Sequence, residues 1–154
     1  MELDSYDIKL LGLLQKNSKT PQRQLSEAVN LSASAVNRRI AQYEASGLIT
    51  ATVAVVDPVK AGRPITLAVE VKVESERLDL LDEIKQRFSA CSQVQQAYYI
   101  TGDFDFLLIF NVQDMVEYEK LTRELFFSSS NIKAFRTIVV MQTLKASLAV
   151  PLSL

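Results

Sequence analysis

Apolar positions in the first third of the chain recur every three or four residues, and in the remainder they alternate in several stretches, so two kinds of folding unit are expected. In Leu3 to Lys16, Ile8, Leu11 and Leu14 form a helical stripe, with Asp4 as N-cap and Asp7 three residues later close to a capping box. Gly12 interrupts that helix and is read as a point of close helix packing. Thr20 as N-cap and Pro21 at the first helical position open a second helix to Val29, with Leu25, Ala28 and Val29 inward. Asn30 suits the left-handed stop, and Ser32 caps a third helix that Gly47 ends. That third helix places Val36, Ile40 and Tyr43 on one side and Ser34 and Arg38 on the other. Two helices joined by so short a turn make a helix-turn-helix.

Leu48 to Val56 is rich in β-branched residues and reads as a strand pair or a single strand in the position of a wing. Asp57-Pro58 and Gly62-Arg63-Pro64 then gather turn residues, and the domain boundary is placed there. Beyond it, Leu67, Val69, Val71 and Val73 alternate with polar or small residues as a half-buried strand. Leu78, Leu81, Ile84 and Phe88 make a helical stripe, and Val94 to Thr101 and Asp105 to Val112 are two strands joined through Gly102-Asp103-Phe104. Asp114 caps a helix carrying Met115, Tyr118, Leu121 and Leu125, and Lys133 to Thr143 is the last strand. The order βαββαβ is a ferredoxin-like arrangement with two helices on one sheet face. Its uncovered face carries Ala97, Tyr99, Ile138 and Val140 or their alternates, an apolar surface that predicts self-association. The fold class is therefore α+β: a winged helix-turn-helix over residues 1–50, a hinge strand or linker over 51–63, and a ferredoxin-like domain over 64–154.

Composition narrows the chemistry. The 154 residues include one cysteine, Cys91, and no histidine. An internal disulfide is excluded, a Cys/His zinc site has too few ligands, and imidazole catalysis has no residue to use. Cys91 reads as a single structural or exposed thiol, with Arg87 its nearest basic neighbour in sequence. No signal-like segment precedes Asp4, and apolar runs such as Phe106 to Phe110 are far short of the ~20 residues that span a bilayer, so a cytoplasmic chain without membrane contact is expected.

Charge is uneven although the net charge is -1. Between Gln15 and Ile40 five basic residues face one acid, whereas from Ile65 onward nine basic residues meet twelve acidic ones. A positive N-terminal segment fits a nucleic-acid footprint, and a solvated helix face gives the same count. Ser34, Asn37 and Arg38 share the outward face of the third helix, where arginine would reach a guanine edge. Arg39 on the flank suits either a phosphate contact or an ion pair with Glu44 or Asp7, and Lys16, Lys19 and Arg23 suit backbone contacts. Gly102 with Asp103 and Asp105 could hold an ammonium and a carboxylate, or could be an ordinary hairpin with Asp as turn former. A catalytic pair of Asp103 and Asp105 has no nucleophile or metal triad beside it, so an enzyme is not expected.

LDSYDIKLLGLLQKN, LSASAVNRRI, TGDFDFLL and TIVVMQTLK, taken in this order and spacing, resemble the Lrp/AsnC or feast/famine family of bacterial and archaeal transcription regulators. The resemblance covers nearly the whole chain. It departs at Lys19, where the family often has Arg, and at Phe104, where Tyr is common. It implies double-stranded DNA as partner, with Ser32, Ser34, Asn37, Arg38, Arg39, Arg23 and Lys19 as contact residues. It further implies an amino acid or related metabolite as effector, no other cofactor, and a homodimer that assembles into octamers in a nucleoid-associated setting. Gly102, Asp103 and Asp105 would form the effector loop, Thr101 and Thr137 match positions near it, and Tyr99 and Ser130 join it by proximity. The rival readings are a metabolite-binding oligomeric scaffold whose helix-turn-helix makes protein contacts, and an RNA-binding sheet, for which Tyr98-Tyr99 is the sole hint.

Overall fold

The computed structural model describes residues 2–153, which fall into two compact units. One runs up to Ala54 and is joined by the segment from Lys145 onward; the other is Val55–Leu144.

The first unit is a head of three helices, α1 (Ser5–Lys16), α2 (Gln22–Val29) and α3 (Ala33–Ala45). Their inward faces meet in one core of Leu10, Leu11, Leu25, Val29, Val36 and Tyr43, with Ile40 and Ile49 packed against it; on α1 Leu10 takes the buried place expected for Ile8. The capping box of α1 is complete: Asp4 and Asp7 each accept the other's backbone N–H at 2.9 Å. Helix α2 starts one residue later than the sequence suggests, because Thr20 turns its hydroxyl back onto the Asn17 carbonyl at 2.6 Å and Pro21 sits at the cap without a side-chain bond. Asn30 takes the left-handed conformation, φ 54°, that ends α2.

The strand expected over Leu48 to Val56 does not form among the described residues. Ile49 is tied to the head by its N–H on the Tyr43 carbonyl at 3.0 Å, but beyond it Val53, Val55 and Val56 are exposed. β-branched composition supplies strand propensity, yet a ladder needs a second strand to take its N–H and C=O groups, and the single chain offers none here. Residues 57–63 are a turn, closed by Asp57, whose carboxylate accepts the Lys60 N–H at 3.1 Å, and by Gly62 at φ +79°.

The second unit carries β1 (Ile65–Val73), α4 (Leu78–Ala90), β2 (Val94–Tyr99), β3 (Phe106–Val112), α5 (Met115–Thr122) continued by a π turn (Arg123–Phe127), and β4 (Ile132–Val139). All ladders are antiparallel, in the order β2-β3-β1-β4, with β1 and β3 central. Leu67, Val69, Val71, Phe106, Leu108 and Phe110 pack the inner face against Leu81, Ile84, Phe88, Tyr118 and Leu121 from the helices. Each such side chain contributes roughly 1.5–3 kcal/mol on burial, which makes this face the source of the unit's stability. Leu78 and Met115, expected inward, are instead exposed at the first turns of their helices. The π turn inserts an extra residue per turn, so that consecutive Leu125 and Phe126 are both buried.

A bulge between Val94 and Gln96 corrects the assignment of faces on β2. Past it every side chain switches sides, so Ala97 and Tyr99 oppose the buried Leu108 and Phe106, and Tyr98 takes the open face opposite Leu107. The open face thus carries Tyr98, Leu107, Ile109, Ala68 and Ile138 as apolar members beside Gln96, Thr66 and Asn111, with Glu70 and Arg136 paired among them. Arg63 donates to both carboxylate oxygens of Glu117 at 2.8 and 3.0 Å, and with the Gln113 N–H at 2.7 Å it holds that carboxyl down at about 2.

Candidate nucleic-acid interface and effector loop

Helix α3 is presented by local bonds at its start. The Ser32 hydroxyl accepts the Ala35 N–H at 3.2 Å, and Gln22 donates to the Ala33 carbonyl at 2.9 Å, fixing α2 to the first residue of α3. The stripe Val36, Ile40 and Tyr43 faces the core as the spacing predicts. Ser34, Asn37 and Arg38 are exposed, and Arg38 makes no hydrogen bond or ion pair among the described residues.

Arg39 behaves oppositely. Its guanidinium bonds Asp7 at 2.6 Å and Asp4 at 3.1 Å, and lies 5.5 Å from the Tyr6 ring. The same Asp7 oxygen accepts the Tyr43 hydroxyl at 2.5 Å. Burial alone would raise the Asp7 carboxyl, but the bonds from Tyr43, the Asp4 N–H and Arg39 outweigh it and hold the carboxyl below its ordinary value. The bond to Asp7 raises the Arg39 guanidinium, and burial together with that carboxylate raises the Tyr43 hydroxyl. The carboxylates that cap α1 therefore also lock α3, and of the two roles open to Arg39 the structure fills the ion pair. Among the outlying contact residues, Arg23 is paired with Glu27 at 2.9 Å on an open surface, and Lys19 is exposed with only its backbone N–H engaged, on Asn17 at 2.9 Å.

The second site lies between β2 and β3. Gly102 has φ +115°, a conformation that a side chain would strain, and Thr101 and Asp103 are exposed beside it. Asp105 is committed: its carboxylate accepts the Val73 N–H at 2.8 Å, its own N–H donates to the Val71 carbonyl at 2.9 Å, and its carbonyl accepts the Ile100 N–H at 2.8 Å. It staples the loop to the end of β1. Ser130 is exposed at that same end of the sheet, next to Asn131, which bridges Ser75 by bonds of 2.8 and 3.1 Å.

Tyr99 and Thr137 are not brought together. They lie on the helix side of opposite edge strands, three strand spacings or roughly 14 Å apart. Tyr99 stacks near Phe106 under the Lys85 ammonium, 4.7 Å from its ring, and Thr137 shares a hydrogen bond with Tyr118. The loop meets Arg136, and through it Glu70, neither of which sequence spacing singles out. Phe104 lies 5.0 Å from the guanidinium of Arg136, which pairs with Glu70 across the β1–β4 ladder on the open face. Their signal in the sequence is opposite charge at outward positions of two strands, readable only once register is known.

Residues 3–50 match the winged helix-turn-helix DNA-binding family, and residues 66–150 match the Lrp/AsnC ligand binding domain. An uncharacterized helix-turn-helix transcriptional regulator of Sinorhizobium fredii is 42% identical over 100% of this chain and 91% of its own length. The glutamate uptake regulatory protein of Zymomonas mobilis is 36% identical, covering 98% of this chain and 92% of its own. Among solved structures, an AsnC family regulator from Agrobacterium tumefaciens superimposes with a TM-score of 0.91 at 28% identity, over 97% of each chain. A Neisseria meningitidis transcriptional regulator in complex with L-methionine does so with a TM-score of 0.91 at 25% identity, again over 97% of each. Among the described residues no helix is long and apolar enough to cross a membrane. With both halves matched in order, this chain belongs to the Lrp/AsnC family of transcriptional regulators, DNA-binding proteins rather than enzymes.

Proposed function

We propose that α3 enters the major groove with Ser34, Asn37 and Arg38 at base edges, while Ser32, Lys19 and Arg23 face the phosphates and Arg39 holds the helix in place. The observation that carries this reading is the contrast between exposed, unpaired Arg38 and its neighbour Arg39, held by Asp4 and Asp7. A guanidinium without a protein partner is free to bond guanine O6 and N7 together. The DNA-binding domain corresponds to residues 1–50 and the effector-binding domain to the sheet and helices that begin at 64; the expected end of that domain at 154 is corrected to 144, because the segment from Lys145 onward joins the head. Copies pair across the open sheet face of Tyr98, Leu107, Ile109 and Ile138, giving the two-fold presentation that a two-fold operator requires, with octamers as the higher assembly.

The effector is an amino acid or a closely related metabolite, held at the Gly102–Asp105 loop with Asp103 toward its ammonium. The methionine bound by the Neisseria relative and the glutamate of the Zymomonas regulator's name support that class. The setting is the bacterial or archaeal cytoplasm. Fluorescence anisotropy with the protein's own upstream DNA and a random duplex, across a salt series, tests the DNA half. A salt-sensitive preference for the upstream DNA is expected, and equal affinity for both duplexes would overturn base reading by α3. Thermal shift with each of the twenty amino acids tests the effector half, since a ligand of the native state raises the melting temperature.

A further inference from the structure

The segment from Lys145 onward belongs to the head, although the chain reaches it from the end of the sheet. Its contact is specific. The side-chain amide of Gln15 donates to the Val150 carbonyl at 3.0 Å and accepts the Val150 N–H at 2.6 Å, satisfying both backbone groups as a neighbouring strand would. Two residues on, Leu152 packs against the three-helix core, and a cleft of about 260 Å³ remains between the docked segment and α1, lined by Ile8, Gly12, Gln15 and Lys16 on one side and by Ala149, Val150 and Leu152 on the other. Pro151 restricts Val150 to extended conformations before docking, which lowers the entropy lost on binding. Between the sheet and this dock, Met141, Leu144 and Leu148 are exposed and residues 140–149 join no helix or strand, so the tail is anchored at its end and not along its length.

We propose that Ala149 to Leu152 is a latch whose receptor is the Ile8–Gly12–Gln15 face of α1, and that it limits the freedom of the DNA-binding head. Docked, the head is connected to the rest of the chain at two points, through Ala54 and through the tail; released, it is connected at one. Helix α1 carries the dock on one side and, through Asp4 and Asp7, the bonds to Arg39 and Tyr43 of α3 on another. Tail engagement thus bears on the helix that orients the reading face. The DNA consequence rests on the function proposed above; the docking does not.

Amide hydrogen exchange and DNA titration on the 154-residue chain and its Gln15→Ala variant separate the two. The Val150 amide is expected to be protected in the parent and to exchange at the rate of a free Ser147–Ser153 peptide in the variant. Gln15→Ala should also weaken binding to the upstream DNA about three- to ten-fold, since a freer head loses more entropy on ordering, with the salt slope unchanged. A chain truncated after Leu148 should bind as weakly and stay weak when the synthetic peptide is added, because a free peptide fills the dock without tethering the head; affinity regained with free peptide would overturn the tether. Free-peptide exchange of Val150 in the parent would overturn the latch. Protection lost in the variant with equal DNA affinity would overturn its role in positioning. If the parent binds no duplex, the DNA reading falls while the exchange data still judge the dock.

Discussion

The outward face of α3 and the Gly102–Asp105 loop carry polar side chains of similar promise in sequence, and the fold treats them differently. On α3 neighbouring residues separate by about 100°, so Arg38 stands free while Arg39 turns to Asp4 and Asp7. In the loop, Asp103 stands free while Asp105 is taken by the Val73 N–H. Helical spacing gives the direction of each arginine, although not the partner that Arg39 finds. In the loop neither direction nor partner follows from spacing, because the group that captures Asp105 lies on another strand. A charged residue in a candidate site is thus first a question of whether the fold has already used it.

The largest effect should come from the used member of each pair. Asp7→Ala removes the acceptor shared by Arg39 and Tyr43 and leaves both without their buried partner. Loss of one side of a buried pair costs about 3–5 kcal/mol, and the partial exposure of Arg39, 26%, reduces this to roughly 2–4 kcal/mol. Urea denaturation with hydrogen exchange followed in α3 measures it. Next comes Arg38→Ala, expected to leave stability within about 0.5 kcal/mol and to cost about 1–3 kcal/mol in binding the upstream DNA, tenfold or more. Lys19→Ala should instead weaken all duplexes alike and reduce the salt slope by about 1. If Asp7→Ala left α3 exchange unchanged, or Arg38→Ala lowered stability, the division between the two arginines would fail.

In the loop the same division is sharpened by Asp105→Ala against Asp103→Ala. The first strands the Val73 N–H and should cost about 1–2 kcal/mol in stability, because that group is left without an acceptor at the end of β1. The second should leave the melting temperature unchanged and abolish the shift produced by the amino-acid effector. An effector shift that survives Asp103→Ala would move the site off Asp103, toward Phe104 and Arg136 on the open sheet face.

What the sequence makes legible follows the range of the interaction. Strict alternation identified Leu67, Val69, Val71 and Val73 as the buried side of β1, and helical spacing identified Leu81, Ile84 and Phe88. The Asp4–Asp7 capping box is also local and was readable. The facing of Tyr98 and Tyr99 was not, because one bulge residue inverts everything after it. Nor were the missing strand over Leu48 to Val56, the Glu70–Arg136 pair beside Phe104, or the return of Val150 to Gln15, all of which depend on partners far away in sequence or absent from the single chain. Periodicity reports which side of an element is apolar; it does not report what a polar residue on the other side will meet.

Acid titration extends the contrast to a carboxylate that the fold has used outside both sites. Glu117, held down at about 2 by Arg63 against an ordinary value of 4.5, binds fewer protons folded than unfolded across that interval. Its contribution is therefore complete above about pH 4.5 and is lost as the pH falls toward 2. Discounted for the exposure of Arg63, 41%, it amounts to about 1 kcal/mol. Glu117→Gln should flatten the stability profile of the second unit in this window and leave the profile above pH 5 parallel to the parent's. The used Asp7 acts with the same sign in the head.

The smallest effect tests the opposite case, a position the fold has left empty. The helical pattern marks Gly12 as a point of close packing, yet no neighbouring atom lies within 4 Å of the place a β-carbon would take. Its backbone is helical, so Ala suits it without strain and removes unfolded-chain entropy, worth about 0.5–1 kcal/mol. Gly12→Ala should therefore raise the urea midpoint of the head, and it should keep the Val150 amide protected, since a methyl in the cleft has room beside the docked tail. Destabilisation instead would mean that another copy packs against α1 in the assembly. In that event Gly12, like Arg39 and Asp105, would be a residue whose role is set by a partner its local sequence does not name.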